Sequence, residues 1–246
     1  MLKREYGFYE KYIKRFLDII CSLLFIVLFS WLYVMIAVIV RIKMGSPVIF
    51  KQPRPGIVRN GRETIFDMYK FRSMTDERDA DGNLLPDDQR LTRFGAMLRS
   101  TSLDELPEIF CILKGTMSVV GPRPQLVKDM VFMSEHHRMR HTAKPGLTGL
   151  AQIKGRNSIT WEEKLDWDLK YIEDVSFFGD MKILLETVIA VFTRKGITDG
   201  ENATALDYGD ALLRSGKVTK AKYDMEIAYA RKLLAEHEEG KSNGKI

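Results

Sequence analysis

From Ile19 to Val40 the chain runs 22 residues without a charge, and nearly all of them are apolar. At about 1.5 Å of rise per residue, a helix of this length can cross a hydrocarbon core of roughly 30 Å. A cleaved leader is not expected, because the run is too long and no small-residue cleavage site follows it. Basic residues stand on both sides: Lys11, Lys14 and Arg15 before the run, Arg41, Lys43, Lys51 and Arg54 after it. Positive flanks are retained on the cytoplasmic side, so a helix that enters, bends and returns satisfies both ends, whereas a straight span leaves one outside. A bend needs a cause, and the mid-run candidate is Ser30, followed by Trp31 with no proline nearby. A re-entrant helix is the favoured expectation and a straight span the alternative.

Charge supports a membrane partner. The first 60 residues hold ten Lys/Arg against Glu5, Glu10 and Asp18, while the net charge of the whole chain is only +5. A basic end beside an apolar run points to anionic lipid rather than nucleic acid. Two cysteines, Cys21 and Cys111, offer no disulfide framework and fit a reducing compartment.

The remainder reads as an α-rich α+β chain with a small β-hairpin and several amphipathic interfacial helices. Its expected units are an N-terminal membrane-embedded helix over 1–45, a catalytic domain over 46–200 and a C-terminal helical extension over 201–246. Pro47–Gln52 and Glu63–Lys70 read as strands joined through Arg59-Asn-Gly61. Leu91, Phe94, Met97 and Leu98 have helical spacing, for packing into a core or lying on a membrane interface. Helices are also expected over 107–117, 125–141, 161–174 and 181–192. In the extension, Tyr223, Ile227, Ala230 and Leu234 share one helix face, suited to self-association or a partner.

Asp104 and Glu105 are adjacent carboxylates, with Arg99 before them and Gly121-Pro-Arg-Pro124 sixteen residues after Glu105. A carboxylate can attack phosphorus or hold a divalent cation, and guanidiniums can neutralise phosphate oxygens. Ser102-x-x-Glu105 equally fits a helix capping box. Arg123, between two prolines of fixed φ, presents its guanidinium at low entropic cost. Lys70 and Arg72 close a predicted strand and point into the same site or into solvent. Residues 144–157 form a glycine-punctuated stretch with Lys144, Lys154 and Arg156, resembling phosphate-cradling loops but matching neither a Walker loop nor a dinucleotide fingerprint. His136, His137 and His141 lack an acid or cysteine at ligand spacing and read as solvated helix histidines. Trp161 and Trp167 read as packing or interfacial anchors.

Taken in order, these segments resemble one family, the bacterial sugar transferases, or monotopic polyprenyl-phosphate phosphoglycosyl transferases. The resemblance is carried by the basic N-terminus with its apolar run, Phe50-Lys-Gln-Pro-Arg-Pro-Gly56, Tyr69-Lys-Phe-Arg-Ser-Met74, Arg99 to Pro107, Leu113-Lys-Gly, Met117 to Pro124 and Lys144 to Asn157. It covers residues 10 to about 195.

The resemblance implies transfer of a sugar-1-phosphate from a UDP-sugar to undecaprenyl phosphate with release of UMP, at the cytoplasmic face of the bacterial inner membrane, initiating a surface glycan. It implies that Asp104 attacks the β-phosphorus and carries a phosphosugar, that Mg²⁺ is held near Asp104, and that Glu105 assists. Arg99, Arg123 and Arg156 are the implied phosphate and nucleotide contacts, with Lys70, Arg72, Asn157 and Asp168 as further binding residues. Three positions depart from the family: Trp31 where proline is common, Cys111 where asparagine is, and Thr116 where aspartate is. The last two leave open a membrane-bound relative that binds a UDP-sugar or scaffolds glycan assembly without turnover.

Overall fold

The computed structural model describes residues 4–155, 159–193 and 206–243. A π-helical turn, Tyr9–Ile13, leads into α1 (Lys14–Met44), whose 31 residues span about 46 Å at the usual helical rise. Among the described residues this is the one helix long and apolar enough to cross a membrane. It continues through Ser30, whose hydroxyl donates to the Val27 carbonyl at 3.1 Å. Lys14, Asp18, Ser22, Ile36, Val40 and Met44 form its buried stripe, at the four-residue spacing of one helix face. Leu24, Val27, Leu28, Trp31 and Val34 lie on the exposed side.

Both ends of α1 are bound to the same body. Near its start, Asp18 accepts from Ser118 Oγ at 3.0 Å and from the Val119 amide at 2.9 Å. Lys14 pairs with Asp180, which also accepts from Tyr9 and Tyr171. Near its finish, Ile36, Val40 and Met44 pack with Phe71 and Leu98. A buried Asp is costly unless hydrogen-bonded, and its partners here are Ser118 and Val119.

The hairpin consists of β1 (Ile49–Arg59) and β2 (Arg62–Phe71), antiparallel from Ile49 opposite Phe71 to Arg59 opposite Arg62, with an irregularity between Pro55 and Val58. Asn60 and Gly61 close it with φ of 53° and 78°. Two successive positive φ values define the turn whose twist matches the flanking strands. This is the predicted hairpin, with β1 starting two residues later than expected and both strands running further toward the turn.

Two short helices follow, α2 (Asp87–Arg90) and α3 (Arg93–Ser100). Thr92 caps α3 by accepting from the Gly95 amide at 2.9 Å. Leu98 is fully buried while Met97 is 44% exposed, so the stripe read from the sequence faces the core only in part. A 3₁₀ turn, Leu103–Glu105, enters α4 (Glu108–Lys114). Strand β3 (Ser118–Val120) then pairs in parallel with β4 (Gly146–Thr148). Gly121 and Gly146 are needed for that approach, because a Cβ on Gly146 would lie 2.1 Å from the Gly121 amide nitrogen.

The helix expected over 125–141 is broken into α5 (Val127–Met130), α6 (Glu135–Arg138) and a 3₁₀ turn, Met139–Thr142. Ser134 causes the restart, since its hydroxyl accepts from the His137 amide at 3.2 Å. The glycine-rich stretch is likewise more ordered than a loop, contributing β4 and α7 (Leu150–Lys154). Helices α8 (Trp161–Glu173) and α9 (Phe177–Phe192) lie close to expectation. Trp161 packs at a tilt against Tyr208 and donates to the Leu206 carbonyl, while Trp167 receives Lys154 and Lys170 over its ring.

The C-terminal segment forms α10 (Tyr208–Arg214) and α11 (Lys220–Ser242). The apolar face of α11 is turned onto its own chain: Ala230 and Leu234 pack with Val127, Met130 and Ile65, and Tyr223 stacks on Phe132. Near the end of α11, His237 and Lys241 both reach Asp67 on β2. The whole is α-rich α+β, as expected.

Candidate active site

Three segments converge on Glu105. Lys70, at the end of β2, donates to Glu105 Oε1 at 2.7 Å, and Arg123 donates to the same oxygen from the Gly121–Pro124 turn. Ser102, just before the Leu103–Glu105 turn, has a left-handed φ of 56°. A non-glycine residue in that region is held there by its surroundings and stores strain, a feature that clusters at functional sites. The expected capping box is not formed: Ser102 makes no side-chain cap, and Glu105 is committed to Lys70 and Arg123.

Asp104 is 7% exposed, and among the described residues no other side chain donates a hydrogen bond to its carboxylate. Burial raises its pKa, opposed by the positive charges of Lys70 and Arg99 and reinforced by Glu105. Burial would raise Glu105 too, but Arg123 and Lys70 hold its carboxyl far below the ordinary range. The neighbours are therefore unlike: Glu105 is pinned as a permanent anion, while Asp104, among the described residues, has no side-chain donor on its carboxylate.

Glu108 is the third carboxyl, 2% exposed. Its Oε1 lies 3.3 Å from Lys70 Nζ without a hydrogen bond in line. Burial and the charge of Glu105 push it up to about 7, against the pull of Lys70 and Arg123. Arg54 is a further cation, donating to the Pro124 carbonyl at 3.2 Å and to Gln52 at 2.6 Å. Burial and the nearby Arg123 lower it to about 10.

Sequence reasoning had singled out neither Glu108 nor Arg54 as a site residue, although both left a signal. Glu108 follows Glu105 by three residues, the spacing of one helical face. Arg54 sits in Pro53-Arg-Pro55, the same triplet as Pro122-Arg-Pro124.

The remaining expected residues are distributed more widely. Arg99 donates to Ser73 Oγ at 2.9 Å and contributes to the field at Asp104. Arg72 is buried and ties the end of the hairpin together, donating to the Met74 and Ser46 carbonyls at 2.9 and 3.0 Å and pairing with Asp76. Asp168 is 1% exposed and holds Arg140 rather than facing the Lys70–Glu105 group. Arg156 and Asn157 lie outside the described residues. His141 is not solvated as expected: it is 5% exposed, and burial lowers it to about 4, so it is neutral at pH 7.

Neither departure, at 111 or at 116, makes a hydrogen bond to the acidic pair among the described residues. Thr116 is exposed just beyond the C-terminal end of α4, where its hydroxyl donates to the Cys111 carbonyl at 3.1 Å. Cys111 is 1% exposed in the core beneath the hairpin, its thiol directed at the Asp67 carbonyl.

The donors suit a hard divalent cation in one particular mode. Among the described residues, three ligand atoms converge only at Asp67, His237 and Glu238, where Lys241 already supplies a positive charge. No such cage surrounds Asp104. Magnesium, however, is commonly held by one or two carboxylates together with substrate phosphates, and the Asp104 carboxylate, to which no described side chain donates, fits that arrangement.

Comparison with known proteins agrees with this geometry. The family model described as bacterial sugar transferase matches residues 9–194. The chain is 46% identical over 193 residues to the uncharacterized sugar transferase EpsL of Bacillus subtilis (strain 168), covering 78% of this chain and 94% of that one. It is 33% identical over 200 residues to the exopolysaccharide production protein ExoY of Rhizobium meliloti (strain 1021), covering 74% and 87%. It is 41% identical over 192 residues to a UDP-glucose:undecaprenyl-phosphate glucose-1-phosphate transferase of Klebsiella pneumoniae, covering 74% of this chain but 40% of the relative. The chain thus spans about two-fifths of the relative named for that reaction and nearly all of EpsL. With three-quarters of its length matched and the acidic pair flanked by Lys70, Arg99 and Arg123, the chain belongs to the bacterial sugar transferase family.

Proposed function

We propose that this chain transfers a sugar-1-phosphate from a UDP-sugar to undecaprenyl phosphate at the cytoplasmic face of the bacterial inner membrane, starting a surface glycan. The observation that carries this reading is the unequal acidic pair: Asp104, to which no described side chain donates, beside a Glu105 neutralised by Lys70 and Arg123. A carboxylate can attack a diphosphate only if cations offset the repulsion, and a preorganised cluster supplies this without reorganisation.

In the first step an Asp104 oxygen bonds to the β-phosphorus while the bond from that phosphorus to the bridging oxygen breaks, so UMP leaves with the electron pair. In the second step a phosphate oxygen of the lipid attacks the same phosphorus, the acyl-phosphate bond breaks, and the Asp104 carboxylate is restored. Lys70, Arg99 and Arg123 bind and orient the diphosphate. Glu105 holds Lys70 and Arg123 in place. Asp104 is the residue that would hold Mg²⁺, which would supply further charge neutralisation.

The binding of both ends of α1 to one body supports a helix whose two ends lie on the same side of the membrane. The exposed face of α9, with Phe178 at 82% and Leu185 at 62%, supports a second contact with lipid. Related proteins are named for both glucose and galactose transfer, so the assay needs a panel of UDP-sugars.

The test is UMP release by the purified full chain, with polyprenyl phosphate and Mg²⁺. Turnover with at least one donor is expected, reduced by about 10³-fold or more in Asp104→Asn. Nucleotide binding without turnover across the panel would replace this reading with that of a binding protein.

A further inference from the structure

The Gly121–Pro124 turn has two prolines and therefore lacks two backbone donors that could anchor it. Its carbonyls are held from outside instead. The Gly146 amide donates to Pro122 O at 3.0 Å, Arg140 to Arg123 O at 2.6 Å, and Arg54 to Pro124 O at 3.2 Å. Arg140 is the most enclosed of these donors, 1% exposed on the Met139–Thr142 turn. Its Nε and one terminal nitrogen donate to Asp168 Oδ2 at 2.9 and 2.6 Å, so α8 fixes the plane of the guanidinium. Its other terminal nitrogen lies 3.4 Å from His141 Nε2, and neutral His141 adds no repulsion.

A buried ion pair is a poor source of stability compared with apolar packing of the same volume. What it does supply is direction. The carbonyl that Arg140 grips belongs to Arg123, whose own guanidinium lies on Glu105.

We propose that Arg140, oriented by Asp168, is a positioning residue for phosphosugar transfer, gripping the Arg123 carbonyl and thereby fixing where the Arg123 guanidinium meets Glu105 and the incoming diphosphate. The assignment rests on the function proposed above, and it gives Asp168 a part at the site that does not require substrate contact. A shift of about 1 Å in a catalytic group can cost on the order of 100-fold in rate, so loosening this turn is enough to matter.

A double-mutant cycle in the full chain, in detergent or lipid nanodiscs, tests it. Arg140→Met should lower kcat/KM by about 10- to 100-fold in the wild-type background and by less than about 2-fold in the Arg123→Ala background. Arg140→Lys, which keeps one donor, should recover part of the loss. Equal losses in both backgrounds, from variants with unchanged melting temperature, would overturn the proposal.

If Arg140→Met does not fold, Asp168→Asn enters the same cycle with the same expectation, because it frees the guanidinium without emptying the site. Should the wild-type chain bind a UDP-sugar without turning over, the proposed function fails separately, and donor Kd from calorimetry replaces kcat/KM in the cycle. Non-additivity with Arg123→Ala then supports the positioning role, and additivity overturns it.

Discussion

Lys70 faces Glu105 and Glu108 together, and the burial of Glu108 decides how the group titrates. The folded chain holds that carboxyl at about 7, against an ordinary value of 4.5. A raised carboxyl pKa means that the fold retains the proton better than the unfolded chain does. Its contribution to stability is therefore complete below pH 4.5 and is lost as the pH rises through 7. Between pH 5 and pH 8 the wild-type chain should lose on the order of 1–3 kcal/mol relative to Glu108→Gln, which carries no such proton. Melting curves at the two pH values check this, and parallel pH dependences of the two proteins would show that Glu108 is ionised throughout.

At this scale the sequence was informative where chemistry is local. Adjacent carboxylates and a proline-flanked arginine declare themselves without a fold. Arg140 did not, because its meaning depends on Asp168 and on a carbonyl 17 residues away, partners that only tertiary packing supplies. The family resemblance points to Asp168 but not to its partner Arg140.

Among the elements, α1 and the hairpin were readable because each rests on a strong short-range rule: unbroken hydrophobic length in one case, and Asn60-Gly61 between alternating strands in the other. The continuous helix over 125–141 was not borne out. Periodicity alone cannot register Ser134, whose hydroxyl ends one helical segment and starts the next. The 102–105 capping box failed for a related reason: a tertiary ion pair captured Glu105 before a local cap could.

The arrangement of α1 also makes a topological prediction. With Asp18 bound to β3 and Val40 packed beside Phe71, residues before and after the helix should lie on one side of the membrane. A cysteine placed by Glu5→Cys, in a Cys21→Ser background, should react with an impermeant maleimide only from the cytoplasmic side. Labelling from the outside would establish a straight span.

In the molecule as a whole, the site is assembled from distant pieces of chain: Arg54 and Lys70 on the hairpin, Arg99 on α3, the acidic pair before α4, Arg123 in its turn and Arg140 beneath it. The C-terminal helices, outside the matched span of 9–194, brace these pieces from behind. Asp67 on β2 accepts from His237 and Lys241, and Asp129 accepts from the amides of Leu126 and Tyr208. The sequence placed the extension beyond the shared region but could not show that its apolar face closes on its own chain.

All of these supports converge on one chemical claim, that Asp104 carries the phosphosugar between donor and lipid. Intact-protein mass spectrometry after incubation with a turned-over UDP-sugar and Mg²⁺, without lipid acceptor, tests it most directly. The account predicts a mass increase equal to one sugar phosphate, mapped to Asp104, with UMP released stoichiometrically and the adduct discharged when polyprenyl phosphate is added. A chain that turns over with lipid present, yet shows neither adduct nor UMP burst without it, would contradict the account and establish direct transfer.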